Sequence, residues 1–101
     1  MLTRIVKMTF EPQNIHSFER IFEASKPAIL GFPGCSHVSL LQDTADPRVY
    51  FTYSKWESEA HLQAYRESAF FRSVWSRTKA LFSEKPQAWS LMEVTPATQG
   101  L

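Results

Sequence analysis

At 101 residues the chain is long enough for one domain with a single hydrophobic core and too short for two. Hydrophobic residues at 44% and charged residues at 21% exclude a disordered chain, and a net charge of +1 removes the positive field that nucleic acid or an anionic membrane surface would need. The one cysteine, Cys35, cannot close an internal disulfide, and no apolar run of about 18 residues is present, which together predict a cytoplasmic protein with no membrane span.

Residues 2–10 alternate in part, with Leu2, Val6, Met8 and Phe10 on one side and Ile5, Lys7 and Thr9 on the other, which predicts a first strand ended by Glu11-Pro12. Asn14 is placed to cap a helix that buries Ile15, Phe18, Ile21, Phe22 and Ile29 and leaves Glu19, Arg20, Glu23 and Lys26 wet. Pro27 lies inside that run, so the helix is expected to kink or end near Lys26. Gly31-Phe32-Pro33-Gly34 is the strongest breaker in the chain. After it, residues 35–42 alternate Cys35, His37, Ser39, Leu41 with Ser36, Val38, Leu40, Gln42, a second strand that a loop at 43–47 turns back antiparallel onto a third at 49–56. On a regular strand Cys35 and His37 share a face; the thiol is read as buried and inert.

Residues 48–82 hold nine of the fourteen aromatic residues, so this stretch decides both core and pocket. Ser58 is an N-cap for a short helix with Leu62 and Tyr65 on its apolar side. Ser68 opens a longer one, where Phe70, Phe71, Val74, Trp75, Thr78, Leu81 and Phe82 recur at helical spacing and Arg72, Ser76, Lys79 and Ser83 form the wet stripe. Glu84-Lys85-Pro86 breaks the pattern, residues 88–95 make a last strand, and 96–101 are expected to be a mobile tail.

The order strand, helix, strand, strand, helix pair, strand predicts an α+β fold: a ferredoxin-like split βαβ sandwich, residues 1–101 as one domain, with helices on one face of a four-stranded antiparallel sheet. On the third strand Val49, Phe51 and Tyr53 point one way and Tyr50 and Trp56 the other, so both faces are too apolar for water. A second copy of the chain is the expected cover, giving a homodimer in which two sheets close into an α+β barrel.

The strand running into Trp56-Glu57-Ser58, followed by Glu59-Ala60-His61-Leu62-Gln63-Ala64-Tyr65, together with Pro33-Gly34-Cys35, resembles the antibiotic biosynthesis monooxygenase superfamily of small dimeric α+β barrel proteins. In its haem-degrading members the resemblance puts the tryptophan position on Tyr65 and the axial histidine position on Trp75, and the first strand offers Lys7 and Met8 in place of an asparagine. Tryptophan cannot ligate iron, so haem cleavage by that mechanism is not expected. The cofactor-independent members imply oxygenation of a quinol or polyaromatic phenol, which needs an apolar aromatic slot, a base near the phenol and little water.

Phe22, Trp56, Tyr65, Phe71 and Trp75 are the expected slot, although an aromatic stripe at helical spacing is also how such a domain fills its interior. His37 is the expected base, on a strand read as central with the small residues Cys35 and Ser39 beside it. Arg72 and Lys55 are candidates to orient a phenolate, while His16 and His61 are read as solvated surface residues. The three histidines fall on different elements with no carboxylate at ligand spacing, and no glycine-rich phosphate loop exists, so neither a metal nor another cofactor is expected. A dimer that binds a small aromatic ligand without turning it over, or acts as a stress accessory, is the competing reading; haem handling without the usual ligand is a third.

Overall fold

Three of the four strands carry a row of side chains that only a packed interior can satisfy, and the helices supply it. The computed structural model describes residues 1–95; the tail expected at 96–101 lies outside them. The elements are β1 (Leu2–Thr9), α1 (Ile15–Leu30), β2 (Cys35–Gln42), β3 (Val49–Trp56), α2 (Glu59–Arg66), α3 (Ala69–Lys79) and β4 (Gln87–Met92), with one 3-10 turn (Pro12–Asn14) before α1. The sheet order is β2-β3-β1-β4 with every pair antiparallel, the α+β ferredoxin-like arrangement.

Even-numbered residues of β1 and β3 face the helices. Met8, Tyr50 and Trp56 join Phe10, Phe18, Phe22, Ile29, Val38 and Leu62 in the core. Phe10 stacks on Phe18 with centroids 4.2 Å apart, and Tyr50 meets Phe18 edge-on at 5.5 Å. The Tyr50 hydroxyl stays satisfied by donating to Glu19 Oε2 at 2.8 Å while accepting from Gln42 Nε2 at 3.2 Å. Odd-numbered residues point to the open face. There Ile5 pairs across with Tyr53 on one side and Trp89 on the other, and Leu41 lies opposite Phe51.

Both expected serine caps are in place: the Ser58 hydroxyl accepts from the His61 N–H at 3.2 Å and the Ser68 hydroxyl from the Phe71 N–H at 3.1 Å. Several expectations need correction. Pro27 does not end α1, which runs on to Leu30 because the following turn buries Ile29 in the core and closes on the Gly31 N–H bonds to Pro27 and Ala28 carbonyls. Leu81 and Phe82 lie beyond α3, which ends at Lys79; Phe82 instead bridges to Phe10, and its neighbour Ser83 is half-buried rather than wet.

β2 is an edge strand and not a central one. Its register also shifts between Cys35, opposite Trp56, and His37, opposite Lys55. That bulge absorbs Ser36 as an extra residue and reverses the alternation, so Cys35 turns toward the helices and His37 toward the open face. The half-buried Cys35 thiol donates to the His37 carbonyl at 3.7 Å, not to its imidazole, and burial raises its pKa, as suits an unreactive thiol. Among the described residues no helix is long and apolar enough to cross a membrane.

Candidate functional site

A cavity of about 270 Å³ lies between the helix-covered face of the sheet and the three helices. This is just under the usual size of ligand pockets, roughly 300–1,000 Å³. Its wall is a run of rings. Trp56, at the end of β3, is fixed from behind by donating its indole N–H to Ser54 Oγ at 3.0 Å and stacks on Tyr65 of α2 with centroids 5.0 Å apart. Tyr65 meets Phe71 of α3 edge-on at 5.1 Å, and Phe71 lies nearly parallel to Trp75 at 6.0 Å. Helical spacing puts Phe71 and Trp75 one turn apart on the same side of α3, and the Ser68 cap sets where that helix begins. Phe22 of α1 closes the far side.

All five aromatic residues expected in the slot line this cavity. The polar groups expected with them do not. Arg72 is exposed on α3 and outside the lining, and Lys55 belongs to the open face, with its ammonium 5.8 Å above the Tyr53 ring. His37 is exposed on that same open face, where its Nε2 meets Ser39 Oγ at 3.0 Å and its ring meets Tyr53 edge-on at 5.3 Å. Its neighbour Val38 is the β2 residue that lines the cavity, and adjacent residues of a strand point to opposite faces. The histidine is therefore on the far side of the sheet from the slot.

His16 is exposed, as expected, beside Glu19. His61 is not a free surface residue: it is half-buried, its Nδ1 lies 2.7 Å from Ser58 Oγ, and its ring packs on Gly34.

The polar lining consists of Ser25, Thr52, Ser54, Thr78, Gln87, the Tyr65 hydroxyl and two arginines, Arg4 and Arg66. Ser25 and Thr78 return their hydroxyls to carbonyls four residues back and are spent. Burial, and then the nearby Cys35, pushes the Tyr65 phenol well above its ordinary value, so it remains a neutral hydrogen-bond donor. Arg4 and Arg66 were missed from sequence, although a signal existed. Arg4 stands on the same side of β1 as Leu2, Val6 and Met8, and an arginine in an apolar row has a reason to be there. Among the described residues no group of three His, Cys, Asp or Glu side chains could hold a metal ion.

Residues 1–75 match the family profile described as antibiotic biosynthesis monooxygenase. The chain belongs to that family. Its fold recurs in solved structures: a protein of Pseudomonas aeruginosa at 22% identity (TM-score 0.81, covering 93% of this chain and 94% of that one) and one of Mycobacterium tuberculosis at 13% (TM-score 0.87, covering 96% and 98%). A third structure, named as an antibiotic biosynthesis monooxygenase, is 18% identical with TM-score 0.87 over 94% of this chain and 100% of that one. Identities this low establish the shared fold alone. No curated protein matches the chain. The family match ends at Trp75, so it takes in all five rings of the cavity and leaves out β4, which adds Gln87 and Ala88 to its lining.

Proposed function

We propose that this chain is a monooxygenase acting on a flat quinol or polyaromatic phenol held in the cavity between Trp56, Tyr65, Phe71 and Trp75, with the substrate as its own electron donor and no bound cofactor. The observation that supports this reading is the continuous run of rings around a small, largely apolar space in a chain of this family. For an anthrone-type substrate the ring CH2 becomes C=O: the substrate gives four electrons to O2, one oxygen atom enters the ring and the other leaves as water. The cavity contributes water exclusion, parallel faces that orient the flat substrate, and the neutral Tyr65 hydroxyl as donor to an oxygen that gains charge.

Oxygen uptake without added cofactor, across a panel of hydroquinones, anthrones and flavonoids, tests the reading. At least one class should be consumed, and Phe71→Ala or Trp75→Ala should lower kcat/KM for it. No uptake on the whole panel would favour binding without turnover, a second reading supported by a lining that holds no His, Asp or Glu among the described residues.

The same reading includes a homodimer. The open face presents Ile5, Leu41, Phe51, Tyr53, Trp89 and Leu91, and the edge strand β4 is exposed along its whole length. A second copy covering that face would close the two sheets into a barrel and bury His37 between them. The lone cysteine is in keeping with a reducing, cytoplasmic setting.

A further inference from the structure

Two arginines line one largely apolar cavity. Arg4 reaches it from the helix-covered face of β1 and spends one donor, Nη1, on Ser90 Oγ of β4 at 2.9 Å. Arg66 reaches it from the last residue of α2 and is otherwise exposed. Among the described residues neither forms an ion pair with a carboxylate. Glu59, at the other end of α2, favours the charge on Arg4 only weakly: burial first and then the like charge of Arg66 act against it more strongly. A guanidinium does not shed its proton under such pressure, so Arg4 keeps its charge, partly buried and without a carboxylate partner, beside a second cation at the same cavity. An anionic oxygen placed between them relieves both the repulsion and the lost solvation. The planar fork of arginine matches a carboxylate or phenolate oxygen, and four of the five Arg4 N–H donors are left for it.

We propose that the ligand of this cavity is an aromatic anion, whose carboxylate or phenolate oxygen seats between Arg4 and Arg66 while its rings lie against Trp56, Tyr65, Phe71 and Trp75. This rests on the reading of the cavity as a ligand site and narrows its substrate class. It also accounts for a lining without imidazole or carboxylate: two cations beside a phenol favour its ionised form, so the proton can leave to water at the rim with no dedicated base.

The test compares anthracene carboxylate with its neutral isostere anthracene methanol, by fluorescence titration of the full chain, the Arg66→Gln and Arg4→Gln variants. The carboxylate should bind about tenfold or more tighter than the alcohol, the worth of one charge-assisted hydrogen bond. Arg66→Gln, at an exposed position the fold can spare, should remove most of that preference while leaving the alcohol's affinity within about twofold. Arg4→Gln, which can still reach Ser90, should do the same. Equal binding of the two probes, or a preference that survives both substitutions, overturns the anion site and leaves the apolar slot standing. Failure of both probes to bind overturns the slot with it.

Discussion

The His61 side chain occupies the space that any side chain at position 34 would need: a Cβ on Gly34 would sit 2.6 Å from both Cβ and the ring Cδ2 of His61. Gly34 has φ of 84°, a backbone that other residues rarely adopt, and its carbonyl accepts from the Glu57 N–H at 2.7 Å. Ser58 holds the other side of the contact through its hydroxyl, 2.7 Å from His61 Nδ1. The turn before β2 and the start of α2 are thus one unit. That unit aims α2, and so places Tyr65 and Arg66 at the cavity.

Gly34→Ala should therefore cost about 2–4 kcal/mol, combining a left-handed backbone with an overpacked contact. His61→Gly in the same background, which removes both the ring and the Cβ, should recover the steric part and none of the backbone part. A double-mutant cycle from urea unfolding measures the coupling, and additive effects would mean that the ring moves aside at no cost.

The two cavity indoles should separate in their effects. Trp56 is 1% exposed and its N–H is paired, so Trp56→Ala should cost about 3–5 kcal/mol. Trp75 is half-buried with one face toward the cavity, so Trp75→Ala should cost roughly 1–2 kcal/mol and weaken a flat aromatic ligand far more than it weakens the fold. Equal losses of stability would make Trp75 part of the packed core.

How much of this could be read from the chain depended on the kind of signal. The spans of β2 and β3, the caps Ser58 and Ser68 and the five cavity rings follow from local pattern, because alternation, hydroxyl caps and helical spacing act over a few residues. The faces of Cys35 and His37 did not follow, because one bulged residue, Ser36, reverses the parity on which that inference rests. Pro27 misled for a different reason: burial of Ile29 in the core outweighs a missing backbone bond, and local rules do not see the core. Arg66 could not be placed without the turn that aims α2.

Alkaline pH should weaken the fold through two phenols. Burial, the hydrogen bond to Glu19 and that residue's charge push the Tyr50 pKa up to about 12, and burial raises Tyr65 in the same direction. An unfolded tyrosine loses its proton near pH ~10 while the folded one keeps it, so the folded state then holds more protons and stability falls as pH rises from about 10 toward 12. The slope is at most about 1.4 kcal/mol per pH unit for each tyrosine. Urea unfolding between about pH 9 and about pH 11 should show the decline, and Tyr50→Phe should remove its share; an unchanged slope in that variant would assign the loss to other groups.

The last prediction concerns the open face. Trp89 is 40% exposed and Leu91 50% exposed on β4, an edge strand that pairs only with β1 and offers its other edge to solvent. Trp89 sits opposite Ile5, in line with Tyr53 across the sheet, so the apolar row runs over three strands. In a single chain, exchanging such an exposed side chain for lysine should change stability by no more than about 0.5 kcal/mol. If two copies meet on this face, the same lysine becomes a charge without a partner in the interface, at a cost of about 3–5 kcal/mol, or a loss in affinity of a hundredfold or more. Sedimentation should find the wild-type chain as a dimer at micromolar concentration and Trp89→Lys as a folded monomer with an unaltered far-ultraviolet spectrum. A wild-type monomer would remove the barrel from the proposed function, and a dimer that tolerates the lysine would move the interface to another face.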